Sequence, residues 1–149
     1  MTEVYFYHSN NFPLERTLAK LVEKIYDLKQ NIVIYCQDNN LVQILDDLLW
    51  SYSTKTFIPH ATSADPLPEK QPVYITASEE NPNSSSILIA ICNTIPEFYK
   101  NFDKYISIFN NDDEELSAAR SRYKILQDKD YKIKYFKQTS EGKWESHTK

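Results

Sequence analysis

One segment near the C-terminal end of the sequence places an aromatic residue between two cations. Arg120 and Lys124 are four residues apart and are therefore neighbours on an α-helix, with Tyr123 beside them. At about 100° per residue, the apolar arc of this helix consists of Leu116, Ala119, Tyr123 and Leu126. A half-buried ring bordered by cations can hold an apolar side chain and a carboxylate together. The alternative is a core tyrosine with solvated neighbours.

A second group of aromatic residues follows an amphipathic helix. Trp50 ends the run Leu48-Leu-Trp50, and Phe57 begins the run Phe57-Ile-Pro-His60 in a polar stretch. Exposed aromatic side chains at such junctions are common anchors in protein interfaces. Trp50, Phe57 and His60 are therefore candidates for a protein interface, and packing of this loop over a sheet edge is the alternative.

Phosphate-binding chemistry is excluded by the glycine content. Nucleotide sites in α/β proteins use glycines for tight turns and for close approach of the backbone to the phosphates. The chain has one glycine, Gly142, so neither G-x-G-x-x-G nor a Walker loop can be written. We expect no nucleotide and no cofactor.

Metal-binding and nucleophilic patterns are also missing from the sequence. His8, His60 and His147 are far apart, and no Cys-x-x-Cys or His-Glu-x-x-His pattern occurs. Cys36 lies in a strand-like run, where a core thiol is commoner than a catalytic one. The acidic run at 112–115 fits the start of a helix, where negative charge is favoured. We therefore predict a binding protein with no catalytic or metal site.

The apolar pattern predicts alternating strands and helices. Strands are expected at 4–8, 32–36, 73–77, 87–92 and 131–136, and helices from Pro13, from Asp38, near 96–109 and at 112–127. Asn31 is a plausible left-handed stop for the first helix. The 149 residues are a normal length for one core. We predict one α/β domain over 1–149, with a mostly parallel sheet flanked by helices, Rossmann-like but without a nucleotide site.

Several features indicate a cytoplasmic protein. The first residues include an acid and no basic stretch, so a signal peptide is not expected. No apolar run approaches the roughly 18 to 20 residues that span a bilayer. Cys36 and Cys92 both lie in apolar runs and are expected to be free, buried thiols.

The charge of the chain is unevenly distributed. Residues 1–119 contain 8 basic and 17 acidic residues, whereas residues 120–149 contain 9 basic and 4 acidic residues. The net charge of these parts is therefore −9 and +5, although the whole chain carries −4. This asymmetry favours an acidic partner, either a peptide or a nucleic acid, at the C-terminal end.

Four runs occur in order between about residue 4 and residue 145. They are Leu45-Asp-Asp-Leu-Leu-Trp50 with Phe57-Ile-Pro-His60, Gln71-Pro-Val-Tyr-Ile-Thr76, Glu80-Asn-Pro-Asn83, and Ala118-Ala-Arg-Ser-Arg-Tyr-Lys124. The first resembles the L-D-x-x-L-W…F-x-P-H signature of the chi subunit of bacterial DNA polymerase III, and the last resembles the A-R-x-R-[YW]-K helix of that family. The two central runs resemble its alphaproteobacterial branch, although Ser84 stands where relatives often have a glycine.

The resemblance implies a non-catalytic accessory subunit with two partners. One is the acidic C-terminal tail of single-stranded DNA-binding protein, which ends in an aromatic residue with a free carboxylate and would be received by Arg120, Tyr123 and Lys124. The other is the psi subunit, or an equivalent clamp-loader component, which would meet Trp50, Phe57 and His60.

Two other functions remain open from the sequence. The basic C-terminal region could bind single-stranded nucleic acid directly, although the first 119 residues lack a stripe of lysine or arginine. A small-molecule enzyme is disfavoured by the missing glycines and by the missing acid–base cluster.

Overall fold

The computed structural model describes residues 2–9, 14–51, 58–141 and 143–147. Across these residues the chain forms eight strands and three α-helices. The strands are β1 (Glu3–His8), β2 (Ile32–Cys36), β3 (His60–Thr62), β4 (Val73–Thr76), β5 (Ile87–Ile91), β6 (Lys104–Phe109), β7 (Ile133–Gln138) and β8 (Trp144–Ser146). The helices are α1 (Leu14–Asp27), α2 (Asn39–Ser51) and α3 (Asp113–Asp128).

All the strands belong to one sheet, in the order β3-β4-β2-β5-β6-β1-β7-β8. Every pairing is parallel except that of β7 with β8, which is antiparallel. The central strands β2 and β5 are almost wholly buried and read as continuous apolar runs, as expected for strands covered on both faces. The predicted fold class is therefore confirmed.

Helices cover both faces of the sheet. One apolar cluster joins α1 and α2 to side chains such as Ile34, Ile75 and Ile89. The cluster on the other face joins α3 to Phe6 and Leu88. The chain thus forms three layers. Among the described residues, α3 alone of the three α-helices covers the second face of the sheet.

Local sequence signals explain where the helices begin and end. The Asp38 carboxylate accepts from the backbone N–H of Leu41 at 2.9 Å, as an N-terminal cap of α2. Asp112 caps α3 in the same way, accepting from the N–H of Glu115 at 2.9 Å. After α1 the left-handed residue is Lys29, with φ of 60°, and not the predicted Asn31.

The helix predicted near 96–109 is wrong. The chain forms a short 3₁₀ helix at Glu97–Asn101 and then strand β6, which pairs with β1 and β5 in the middle of the sheet. Seven apolar residues of this stretch share one helical arc, which Ile108 does not: Ile95, Phe98, Tyr99, Phe102, Tyr105, Ile106 and Phe109. The spacing of these seven residues fits a helix. The segment forms a strand instead, because it is buried between β1 and β5 in the sheet.

The strands at the two edges of the sheet also differ from the prediction. The last predicted strand, 131–136, is observed as β7 two residues later, and β3 and β8 were not predicted. Both additional strands are three residues long, which is too short for an alternating pattern to be recognised. None of the described helices has the length and apolar character needed to cross a membrane.

Candidate functional site

The carboxyl ends of β6, β1 and β7 meet the side of α3 in an open cavity. His8, the last residue of β1, lies between Phe109 of β6 and Lys137 of β7 in the sheet register. Residues of a strand alternate between faces, so Phe6 and His8 face α3, together with their partners Tyr135 and Lys137. The cavity measures about 610 Å³, within the usual range for ligand sites. In parallel sheets, ligands commonly bind beyond the carboxyl ends of the strands.

The walls of the cavity are mainly apolar. They are formed by His8, Phe109, Leu116, Ala119, Tyr123 and Tyr135. The ring centroids of Tyr123 and Tyr135 are 6.3 Å apart, and Phe109 lies 6.3 Å from Tyr135. Phe6, fully buried behind them, meets Tyr123 edge to face at 5.5 Å. Packed rings of this kind form a rigid wall that can receive an aromatic side chain.

His8 is held between two polar partners. Its Nε2 lies 2.9 Å from Oδ1 of Asn111, and its Nδ1 lies 3.1 Å from the Tyr135 hydroxyl. Because the amide oxygen can only accept, Nε2 carries the proton and the neutral ring accepts from the hydroxyl. Burial lowers the pKa of His8, and the nearby charge of Lys137 lowers it further, against the opposing hydrogen bond to Asn111. The neutral ring is therefore the favoured form.

Cationic side chains border the same cavity on opposite sides. Arg120 projects from α3 and Lys137 from β7; His147, which follows β8, lines the same cavity, and all three residues are exposed. Burial raises the pKa of Tyr135, and the charge of Arg120 opposes that rise. Arg120 and Lys137 line the cavity together with His8 and Tyr135 of its aromatic walls. An anionic group with an apolar neighbour fits this arrangement.

The structure brings together two of the three residues predicted for this site. Arg120 and Tyr123 both line the cavity, whereas Lys124 is exposed and does not. His8, Tyr135 and Lys137 were not predicted as members of the site. In the predicted last strand, Tyr131, Ile133 and Tyr135 alternate with lysines, and this alternation could have identified Tyr135 and, two residues later, Lys137.

The second candidate group is divided by the structure. Trp50 is 61% exposed, whereas His60 is buried beneath it with the two ring centroids 5.1 Å apart. His60 donates from Nδ1 to the carbonyl of Ile58 at 2.8 Å, and its Nε2 lies 3.1 Å from Oδ1 of Asp46. Phe57 lies outside the described residues. The Trp50 side chain is therefore accessible at the surface, and the His60 ring packs beneath it.

Fold and cavity define a class of protein: a largely parallel α/β sheet carrying an aromatic cavity with a cationic border, in a sequence without a glycine-rich phosphate loop. The chain belongs to the DNA polymerase III chi subunit family. The family model described as DNA polymerase III chi subunit, HolC, matches residues 1–134. This is a family of accessory subunits that act in DNA replication.

Individual relatives agree with the family match. The chain is 34% identical to the probable DNA polymerase III subunit chi of Rickettsia prowazekii, over 97% of this chain and 91% of that protein. It is 26% identical to the DNA polymerase III subunit chi of Haemophilus influenzae, over 76% of this chain and 79% of the relative. The corresponding Escherichia coli subunit is 23% identical, over 74% of this chain and 76% of its own length.

Proposed function

We propose that the protein links DNA polymerase III to single-stranded DNA-binding protein by holding the acidic C-terminal tail of that protein. The observation that carries this proposal is the cavity of about 610 Å³, in which Tyr123 forms part of an aromatic wall and Arg120 part of a cationic border. In this proposal the protein acts in the cytoplasm by binding, and it catalyses no reaction itself.

The physical steps follow from the charges and the shape of the site. The region after residue 119, with a net charge of +5, attracts the acidic residues of the tail. The aromatic end of the tail enters the cavity, and its carboxylate meets Arg120. A small site of this type binds on the order of micromolar. Many tails on one DNA-bound assembly raise the effective affinity without any new contact.

Titration calorimetry with a synthetic tail peptide tests this function. Arg120→Ala should weaken binding by roughly 1 to 3 kcal/mol, the usual cost of losing a charge-assisted contact. Tyr123→Ala should also weaken binding, because the aromatic wall is lost. Lys129→Ala is the control, because Lys129 is exposed at the end of α3 and does not line this cavity. It should cost under about 0.5 kcal/mol.

Two results would contradict the proposal. One is an Arg120→Ala variant that binds the peptide as tightly as the parent protein does. The other is tight binding of naked single-stranded DNA that Arg120→Ala leaves unchanged, which would favour a direct nucleic-acid binder. Rising salt weakens both kinds of binding, so salt dependence alone does not separate them.

We further propose that Trp50 contacts the psi subunit or an equivalent clamp-loader component. The exposure of Trp50 supports this, because an indole with 61% of its surface in water is a ready anchor for a partner. Trp50→Ala should reduce capture of the clamp-loader complex by the immobilised protein. Leu28→Ala is a matched control, because Leu28 is 66% exposed and follows a different helix. Unchanged capture by Trp50→Ala would place the interface elsewhere.

A further inference from the structure

We infer that Lys137 of β7, acting opposite Arg120, recognises the free terminal carboxylate of the bound peptide, and that Lys124 meets acidic side chains further from the peptide's end. This inference rests on the proposed function and defines how its ligand is oriented. The sequence alone pairs Arg120 with Lys124, whereas the cavity is bordered by Arg120 and Lys137.

The sheet register places Lys137 at the cavity. Lys137 is the partner of His8 across β1 and β7, and both side chains lie on the face covered by α3. Lys137 also lines the cavity, beside the aromatic wall that includes His8 and Tyr135. Position 137 also lies beyond residue 134, where the family match ends. The family motif therefore does not include this cation.

Arg120 and Lys137 approach the cavity from different elements. Arg120 stands on α3 and Lys137 on β7, and both line the cavity beside the rings of His8 and Tyr135. A group that lies against these rings therefore has a cation on either side. The carboxylate of a C-terminal aromatic residue is bonded to the same carbon as its side chain. It consequently remains at the border when the ring enters the cavity.

Lys124 occupies a different position on α3. It comes four residues after Arg120, which turns it about 40° further round the helix, away from the cavity wall formed by Ala119 and Tyr123. It is exposed and does not line the cavity. A peptide that ends beside β7 and passes over α3 would bring its upstream residues to Lys124. The peptide is thus oriented from the outer side of α3 towards β7.

The test uses three synthetic peptides: the tail with a free carboxylate, the same tail with a C-terminal amide, and the tail with its upstream acidic residues changed to the corresponding amides. Binding is measured for the parent protein, Lys137→Ala and Lys124→Ala. Lys134→Ala is the matched control. Lys134 is exposed on the same strand, but its ammonium lies 5.4 Å from the ring centroid of Tyr5, on the opposite face of the sheet.

The expected results separate the two lysines. Amidation should weaken binding to the parent and to Lys134→Ala about tenfold or more, because a charge-assisted contact is lost. Amidation should matter less than about threefold in Lys137→Ala, since that variant has already lost one partner of the carboxylate. Lys124→Ala should keep the full effect of C-terminal amidation but lose most of the effect of the changes at the upstream acidic residues.

The opposite pattern overturns the inference. If amidation costs as much in Lys137→Ala as in the parent, or if Lys124→Ala abolishes the amidation effect, then Lys137 does not recognise the carboxylate. The proposed function survives either result as long as Arg120→Ala weakens binding. It fails separately if Arg120→Ala leaves the affinity of the tail unchanged.

Discussion

Arg122 shows how differently neighbouring residues of one motif are used. It lies two positions after the exposed Arg120, yet only 3% of it is exposed. Its Nε and Nη2 donate to the Ser107 hydroxyl at 3.2 and 3.1 Å, and its guanidinium lies 6.0 Å from the rings of Phe6 and Phe109. Because Phe109 also forms a wall of the cavity, Arg122 supports that wall from behind.

Replacing Arg122 should destabilise the fold in a way that depends on side-chain volume. Arg122→Ala removes the bonds to Ser107 and leaves a void beneath two rings, so it should cost about 3 kcal/mol of unfolding free energy. Arg122→Met fills most of the void and removes a desolvated charge, so it should cost about 1 kcal/mol. Urea unfolding checks both values. Ser121→Ala, at an exposed neighbour, should stay within about 0.5 kcal/mol of the parent.

His8 should make the stability of the protein depend on pH. Its folded pKa is lowered, first by burial, so the unfolded chain binds a proton near its ordinary pKa of about 6.5 when the folded chain does not. The free energy of unfolding should therefore fall as the pH drops below about 6.5. Urea unfolding at pH 7.5 and 5.5 should show a smaller loss in His8→Gln than in the parent. Equal losses in the two proteins would assign the effect to other groups.

At the scale of elements, the loop before β5 has a structural role. Asn83 is buried and donates to the carbonyls of Ile32 and Gln71, which ties the start of β2 to the residue preceding Pro72 and β4. Asn81 closes the loop by accepting from the N–H of Ser85 at 2.8 Å. Within this loop, Ser84 has φ of 52°, in the left-handed region that favours glycine. Ser84 is thus a serine in a backbone conformation that suits glycine.

Ser84→Gly should therefore stabilise the protein. A non-glycine residue in the left-handed region costs about 1 kcal/mol, and part of the gain is offset because glycine makes the unfolded chain more flexible. The expected increase in unfolding free energy is about 0.5 kcal/mol, measured by urea denaturation. Ser86→Gly serves as the control. Ser86 lies in the same segment without a positive φ, so that change should reduce stability. Destabilisation by both changes would mean that Ser84 is not strained.

The sequence was sufficient for the elements with the clearest signals. Strand β2 was placed at its observed bounds, and Asp38 and Asp112 were placed at the starts of helices, where the structure shows them as the caps of α2 and α3. It did not predict β6, because the apolar spacing there fits a helix as well as a strand. Only the pairing with β1 and β5 distinguishes these two structures.

The candidate site was predictable only in part for a similar reason. Arg120 and Tyr123 lie on one helix, so spacing along the chain relates them directly. His8 and Lys137 reach the same cavity from strands far apart in the sequence, and only the register of β1 with β7 brings them together. Arg122 was not distinguished from its exposed neighbours, because burial of a cation depends on Ser107 and the two phenylalanine rings around it.

At the scale of the whole molecule, the two proposed interfaces lie towards opposite edges of the sheet. Trp50 lies in the last turn of α2, which packs against β3 and β4 at one edge. The cavity lies beside β7, next to β8 at the other edge. Five strand spacings separate β4 from β7, which corresponds to about 24 Å. Two partners can therefore bind without sharing contact residues.

This separation predicts that the two bindings are independent. Changes more than about 7 to 10 Å apart, with no shared partners, have additive effects. Trp50→Ala should therefore change the affinity for the tail peptide by less than about 0.5 kcal/mol, and Arg120→Ala should leave capture of the clamp-loader complex unaltered. The immobilised clamp-loader complex, loaded with this protein, should retain the tail peptide with the affinity of the free protein. Competition between peptide and clamp loader would mean that the partners share a surface, and it would contradict the placement of one or both sites.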